Sequence, residues 1–138
     1  MKVLSIEQMN RLKELGVDVS NASVGVGQMV FYHGDSWYGV DSYNVHLLKD
    51  DDDDTSCFEE EYRTFTLQDI VELLPDTIEV DKNSYYYLIL QKETNAYYHC
   101  VYENLDLEIL HRYTSSTMIE SAYQMLLWVI ENGYLKTK

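Results

Sequence analysis

Three stretches of the chain carry apolar residues at helical spacing. Ile6, Met9, Leu12 and Leu15 form one stripe, and Ser5 with Gln8 three residues later makes a capping box in front of it. Gly16 stands where a helix stops, so a helix is predicted over 6–15. In TFTLQDIVELLP, Leu67, Ile70, Val71 and Leu74 share a face, Thr66 and Asp69 supply the cap, and Pro75 ends the helix. The third stripe is the longest: Met118, Ile119, Ala122, Met125, Leu126, Val129 and Ile130, opened by Thr117 with Glu120 and closed by Gly133.

Between these helices the period changes to two. VGVGQMVFYH (24–33) and WYGVDSYNVHLL (37–48) read as strands joined by the turn signal HGDS, with a bulge near Gly39. TIEVD (77–81), SYYYLIL (84–90), AYYHCVY (96–102) and LDLEILHRY (105–113) read as four more. The last of these is expected because Leu105, Leu107 and Ile109 alternate with acids. The short links DKNS and ETNA make this second group a meander. The expected architecture is α+β: an antiparallel sheet of about five or six strands with three helices packed on one face. A chain of 138 residues fits a single globular domain, 1–138.

Charge adds a preference about partners. Twenty-four acidic residues face ten basic ones, giving a formal charge of −14 at pH 7. Binding a phosphate backbone requires Lys and Arg, and so does binding an anionic membrane; both are disfavoured. No opening apolar h-region and no bilayer-length apolar run appear, and two cysteines make no disulfide framework, so a reduced, cytoplasmic protein is expected.

KDDDDDTSCFEEEYR (49–63) concentrates the charge. Asp50, Asp52, Asp54 and Glu61 match positions 1, 3, 5 and 12 of a calcium loop. Five consecutive aspartates satisfy the first three automatically, however, and the turn glycine at position 6 is replaced by Thr55. No metal and no cofactor are therefore assigned. The stretch reads as an exposed loop between the second strand and the second helix. In its functional form Asp50, Asp51, Asp52, Asp53, Asp54, Glu59, Glu60 and Glu61 meet a cationic surface on another protein.

Catalytic patterns are sparse. His33, His46, His99 and His111 include no i, i+4 pair, and HExxH, CxxC, GxxxxGK[ST] and GxSxG are missing. SVGVGQ holds a GxG without the third glycine of a dinucleotide loop. His99 and Cys100 are adjacent in a strand and so face opposite ways. Tyr85, Tyr87 and Ile89 share one face of their strand, and Tyr86, Leu88 and Leu90 the other, so one face is expected in the core and one as an aromatic patch.

TFTLQDIVELLP and SAYQMLLWVIENGYL, with LSIEQMNRLKELGVDVS at the start, resemble segments of small phage and mobile-element proteins of gut Bacteroidetes-type bacteria. The resemblance implies a phage-like accessory role and carries over no functional residue. The expected function is a non-enzymatic protein-binding module or inhibitor acting on a basic, nucleic-acid-handling protein. An immunity-type inhibitor of a basic toxin is a close variant. A small enzyme with a His/Cys/Tyr site on the sheet is the alternative from another class.

Overall fold

The computed structural model describes residues 2–33, 36–47 and 56–135, with strand residues 28–33, 36–47 and 56–61 described by backbone alone. In chain order the elements are α1 (Ile6–Glu14), β1 (Val24–His33), β2 (Ser36–Leu47), β3 (Ser56–Thr64), α2 (Leu67–Leu73), β4 (Thr77–Asp81), β5 (Ser84–Lys92), β6 (Tyr98–Glu103), β7 (Ile109–Ser115) and α3 (Met118–Glu131).

The α+β class stands, but the single sheet of five or six strands is corrected. The described residues form two antiparallel sheets, one ordered β2-β1-β3 and one ordered β4-β5-β6-β7. The extra strand is β3, which pairs with β1 from Val24↔Thr64 to Phe31↔Ser56. It occupies ground expected to be loop. Three consecutive glutamates are poor strand formers, yet β1 offers a free ladder beside them, and long-range pairing overrides local preference. The bulge near Gly39 is present: Phe31 pairs with Gly39 and Tyr32 with Trp37, so Tyr38 is the extra residue.

The helices also do not share one face of one sheet. Helix α3 packs on β6 and β7, α2 packs on α3, and α1 approaches β3. Their common core joins Leu4, Leu12, Ile70, Ile78, Cys100, Tyr102, Met125, Leu126 and Val129, all essentially inaccessible to water. The buried hydroxyls of Thr64, Ser121 and Tyr102 find partners, as the cost of leaving them unpaired requires. Thr64 Oγ1 donates to the Leu4 carbonyl at 2.6 Å, and Ser121 Oγ to the Tyr98 carbonyl at 2.7 Å. Tyr102 Oη donates to the Pro75 carbonyl at 2.7 Å, holding the α2–β4 link against the sheet.

Helix ends follow the local chemistry. Ser5 with Gln8, and Thr66 with Asp69, form complete capping boxes. Asp69 does more: its Oδ2 also accepts from Ser23 Oγ at 2.7 Å, tying the α1–β1 link to α2. After α1 the Val17 amide bonds the Leu12 carbonyl and the Gly16 amide the Lys13 carbonyl, with Gly16 at φ 89°. The same Schellman pattern closes α3 through Tyr134, Gly133 and φ 74°. At the start of α3 only half of the expected box forms. Thr117 Oγ1 accepts from the Glu120 amide, but the Glu120 carboxylate accepts from Gln8 Nε2 (2.9 Å) and Gln124 Nε2 (3.0 Å) instead of turning back. That carboxylate thereby links α3 to α1.

Strand β7 corrects a boundary. It begins at Ile109, and Leu105 and Leu107 lie before it in a turn. Asn104 Oδ1 accepts from the amides of Asp106 and Glu108, and the Asn104 amide donates to the Glu108 carbonyl. An asparagine side chain that satisfies two amides locally outcompetes a weak strand pattern. Leu110 is the extra residue where Tyr102↔His111 gives way to Glu103↔Ile109, and it packs on the core.

Candidate interaction surface

Asp50, Asp51, Asp52, Asp53 and Asp54 lie outside the described residues. Glu59, Glu60 and Glu61 do not sit in a loop: they belong to β3, where Glu59 pairs with Gln28 and Glu60 with Gly27. The register then shifts to Val26↔Tyr62, leaving Glu61 as the extra residue. The twelfth position of the calcium-loop spacing is thus inside a strand ladder, where that motif would place a helix.

The titratable groups of the β4–β7 sheet do not converge on one reacting centre. Cys100 is fully buried, and desolvation pushes its thiol up to about 12, so no nucleophilic thiolate is presented. Tyr102, buried beside it, is raised for the same reason first, with Cys100 and Asp76 adding to the effect. His111 stacks on Trp128 of α3, ring centroids 4.4 Å apart and planes 2° from parallel, and burial lowers its pKa. His99 is on the opposite face from Cys100. Its Nδ1 is 2.6 Å from Thr114 Oγ1. Glu93 Oε1 lies 3.0 Å from Nε2, close enough for an ion pair, yet Nε2 has no aligned hydrogen bond.

The surface that stands out is at the end of the sheet where the β4–β5 and β6–β7 turns lie. Strand alternation separates the two faces as the sequence pattern predicts, and it is Tyr86 and Leu88 that pack against the core while Tyr85 and Tyr87 turn outward. Register places Tyr87 between Thr77 on β4 and Glu103 on β6, with Ile109 beyond Glu103 and Glu79 opposite Tyr85. Tyr85 and Tyr87 are 42% and 40% exposed; Leu105 and Leu107, in the adjoining turn, are 85% and 75% exposed. Between the turns runs a groove of about 340 Å³, with Asn83, Tyr85, Tyr87, Leu105, Asp106 and Glu108 in its lining. Segments 79–87 and 103–109 together hold five carboxylates and one cation, Lys82. Tyr85 Oη leans back toward the Lys82 carbonyl at 3.5 Å, which sets the ring beside the first turn.

Leu107 is also one of two described non-glycine residues with positive φ, at 65°. An exposed leucine in the left-handed region breaks two preferences at once. The sequence reading assigned Leu105 and Leu107 to a strand and so missed them as surface; Asn104 followed two residues later by Asp106 was the available turn signal.

Among the described residues no helix is long and apolar enough to cross a membrane. No protein-family model matches the chain, and neither curated proteins nor solved structures show a significant match to it.

Proposed function

We propose that this chain is a non-enzymatic binding module of the cytoplasm, a phage-like accessory protein that binds or inhibits a basic, nucleic-acid-handling protein. The observation that carries this reading is the formal charge of −14, concentrated in the aspartates at 50–54 and in Glu59, Glu60 and Glu61. A dense anionic surface imitates a nucleic-acid backbone and draws a cationic protein in by long-range attraction. An immunity-type inhibitor of a basic toxin uses the same physics. The enzyme alternative is disfavoured by the sheet itself: Cys100 is sealed in the core, His99 faces away from it, and the His111 ring is stacked against Trp128.

The test starts with capture from bacterial lysate at low salt and release at high salt. The captured protein is then mixed with wild type and with a variant carrying Asn at 50–54, and the association rate is followed against ionic strength. A slower, less salt-sensitive association is expected for the variant. Equal rates and equal salt slopes would remove the acidic run from the interface.

A further inference from the structure

We infer that the groove between the β4–β5 and β6–β7 turns is a receptor for an arginine side chain carried on an apolar segment of the partner. This rests on the basic-partner reading above and adds a second, shorter-range contact to it. Three features of the groove specify the occupant. Tyr85 and Tyr87 offer exposed rings, and a guanidinium stacks on an aromatic face. Asp106 and Glu108 stand at the groove with carboxylates able to accept from a planar fork of N–H donors. Leu105 lines the groove, and Leu107 is exposed in the same turn, so the turn offers apolar surface for the residues flanking the arginine. The groove volume of about 340 Å³ suits one long side chain rather than a folded element. A second copy of this chain is a poor occupant, because two surfaces of the same sign, each on a molecule of charge −14, repel.

Lysine would satisfy the charge but not the stacking or the bidentate geometry, so arginine is preferred. The apolar turn also separates this surface from a purely electrostatic one. Its contacts form at short range after the acidic run has brought the partner close, so they act on dissociation more than on association.

The full chain, isotope-labelled, is titrated with the blocked peptide acetyl-Leu-Arg-Leu-Arg-amide, and with the same peptide bearing citrulline for arginine. Citrulline keeps shape and loses charge. The arginine peptide is expected to shift amide resonances of 83–87 and 104–109 saturably, and the citrulline peptide to leave them in place. Tyr85→Leu, and the pair Asp106→Asn with Glu108→Gln, should each weaken binding about tenfold while melting at the wild-type temperature. The pair Glu72→Gln with Glu131→Gln makes the same charge change on exposed residues outside the groove and should change binding less than about threefold. Shifts confined to residues near 50–61 would overturn the groove while leaving the acidic-run reading in place. Shifts in the groove, together with association rates indifferent to Asn at 50–54, would overturn the acidic run and leave the groove. Equal response to the two peptides, or groove variants that bind like wild type, would also overturn the inference.

Discussion

Leu107 and Leu105 make an internal control for backbone strain. Both are leucines, two residues apart in one turn, and both are largely exposed, yet only Leu107 has positive φ. Replacing either by glycine removes the same side chain and adds the same disorder to the unfolded chain, worth about 0.5–1 kcal/mol of destabilisation. The burial lost is small at both positions. The left-handed conformation costs a leucine roughly 1–2 kcal/mol and costs glycine nothing. Leu105→Gly should therefore lower stability by about 1 kcal/mol, whereas Leu107→Gly should be neutral or stabilising by up to about 1 kcal/mol. The gap between the two variants isolates the backbone term. For a chain of this size, 1 kcal/mol moves the midpoint by about 3–4 °C, so the two melting curves should stand about 3–8 °C apart. Equilibrium urea unfolding with a shared m-value gives the same difference as a free energy. Variants that melt together would mean that Leu107 carries no strain. A Leu107→Gly variant less stable than Leu105→Gly would mean that its side chain makes contacts its exposure denies.

Met125 lies mid-stripe on α3 and is wholly buried. Met125→Ala should cost about 2–5 kcal/mol in urea unfolding, and Met125→Asp, which buries a charge, should abolish cooperative melting; wild-type melting of the Asp variant would refute the helix's packing. His111 has its pKa lowered by burial, so the unfolded chain binds the proton more readily and stability is lost as pH falls below about 6.5, the unfolded value. His111→Phe keeps a ring against Trp128 and lacks this loss, so the melting temperature of the variant should gain on wild type between pH 7.5 and 5; a constant difference across that range would refute the linkage.

What the sequence made legible was the short-range part of the fold. Ser5 with Gln8, Thr66 with Asp69, Gly16 and Gly133 act within one turn of a helix, and each does what its identity implies. The meander was legible because its strands are joined by short turns and paired in chain order. So was the β1–β2 hairpin of the other sheet, but its third strand was not. It depends on β1 accepting β3 across an intervening β2 and the whole acidic run, and nothing in SCFEEEYRT signals that partner locally. The cap of α3 failed halfway for a similar reason: Gln8, far away in sequence, competes for the Glu120 carboxylate. Of the candidate site, strand alternation put Tyr85 and Tyr87 together on one face but did not say that this face was the outer one, whereas Leu105 and Leu107 were hidden because the same rule started β7 before Ile109.

The two described positive-φ residues outside glycine sharpen the case for the groove. Ala96, at φ 63°, sits in the β5–β6 turn, and Leu107, at φ 65°, in the β6–β7 turn at the other end of β6. Both turns need a left-handed residue to reverse the chain. At Ala96 the requirement is met with a side chain that has little to lose by exposure. At Leu107 it is met with one that costs more in the same backbone well and gains nothing from water. Turn geometry alone accounts for the alanine and leaves the leucine unexplained, since glycine or asparagine would serve the turn better. The excess cost falls in the turn that supplies Leu105, Asp106 and Glu108 to the groove lined also by Tyr85 and Tyr87. An interface explains it: burying Leu105 and Leu107 against a partner returns on binding about 1.5–3 kcal/mol for each leucine fully covered, which exceeds the strain of holding Leu107 ready.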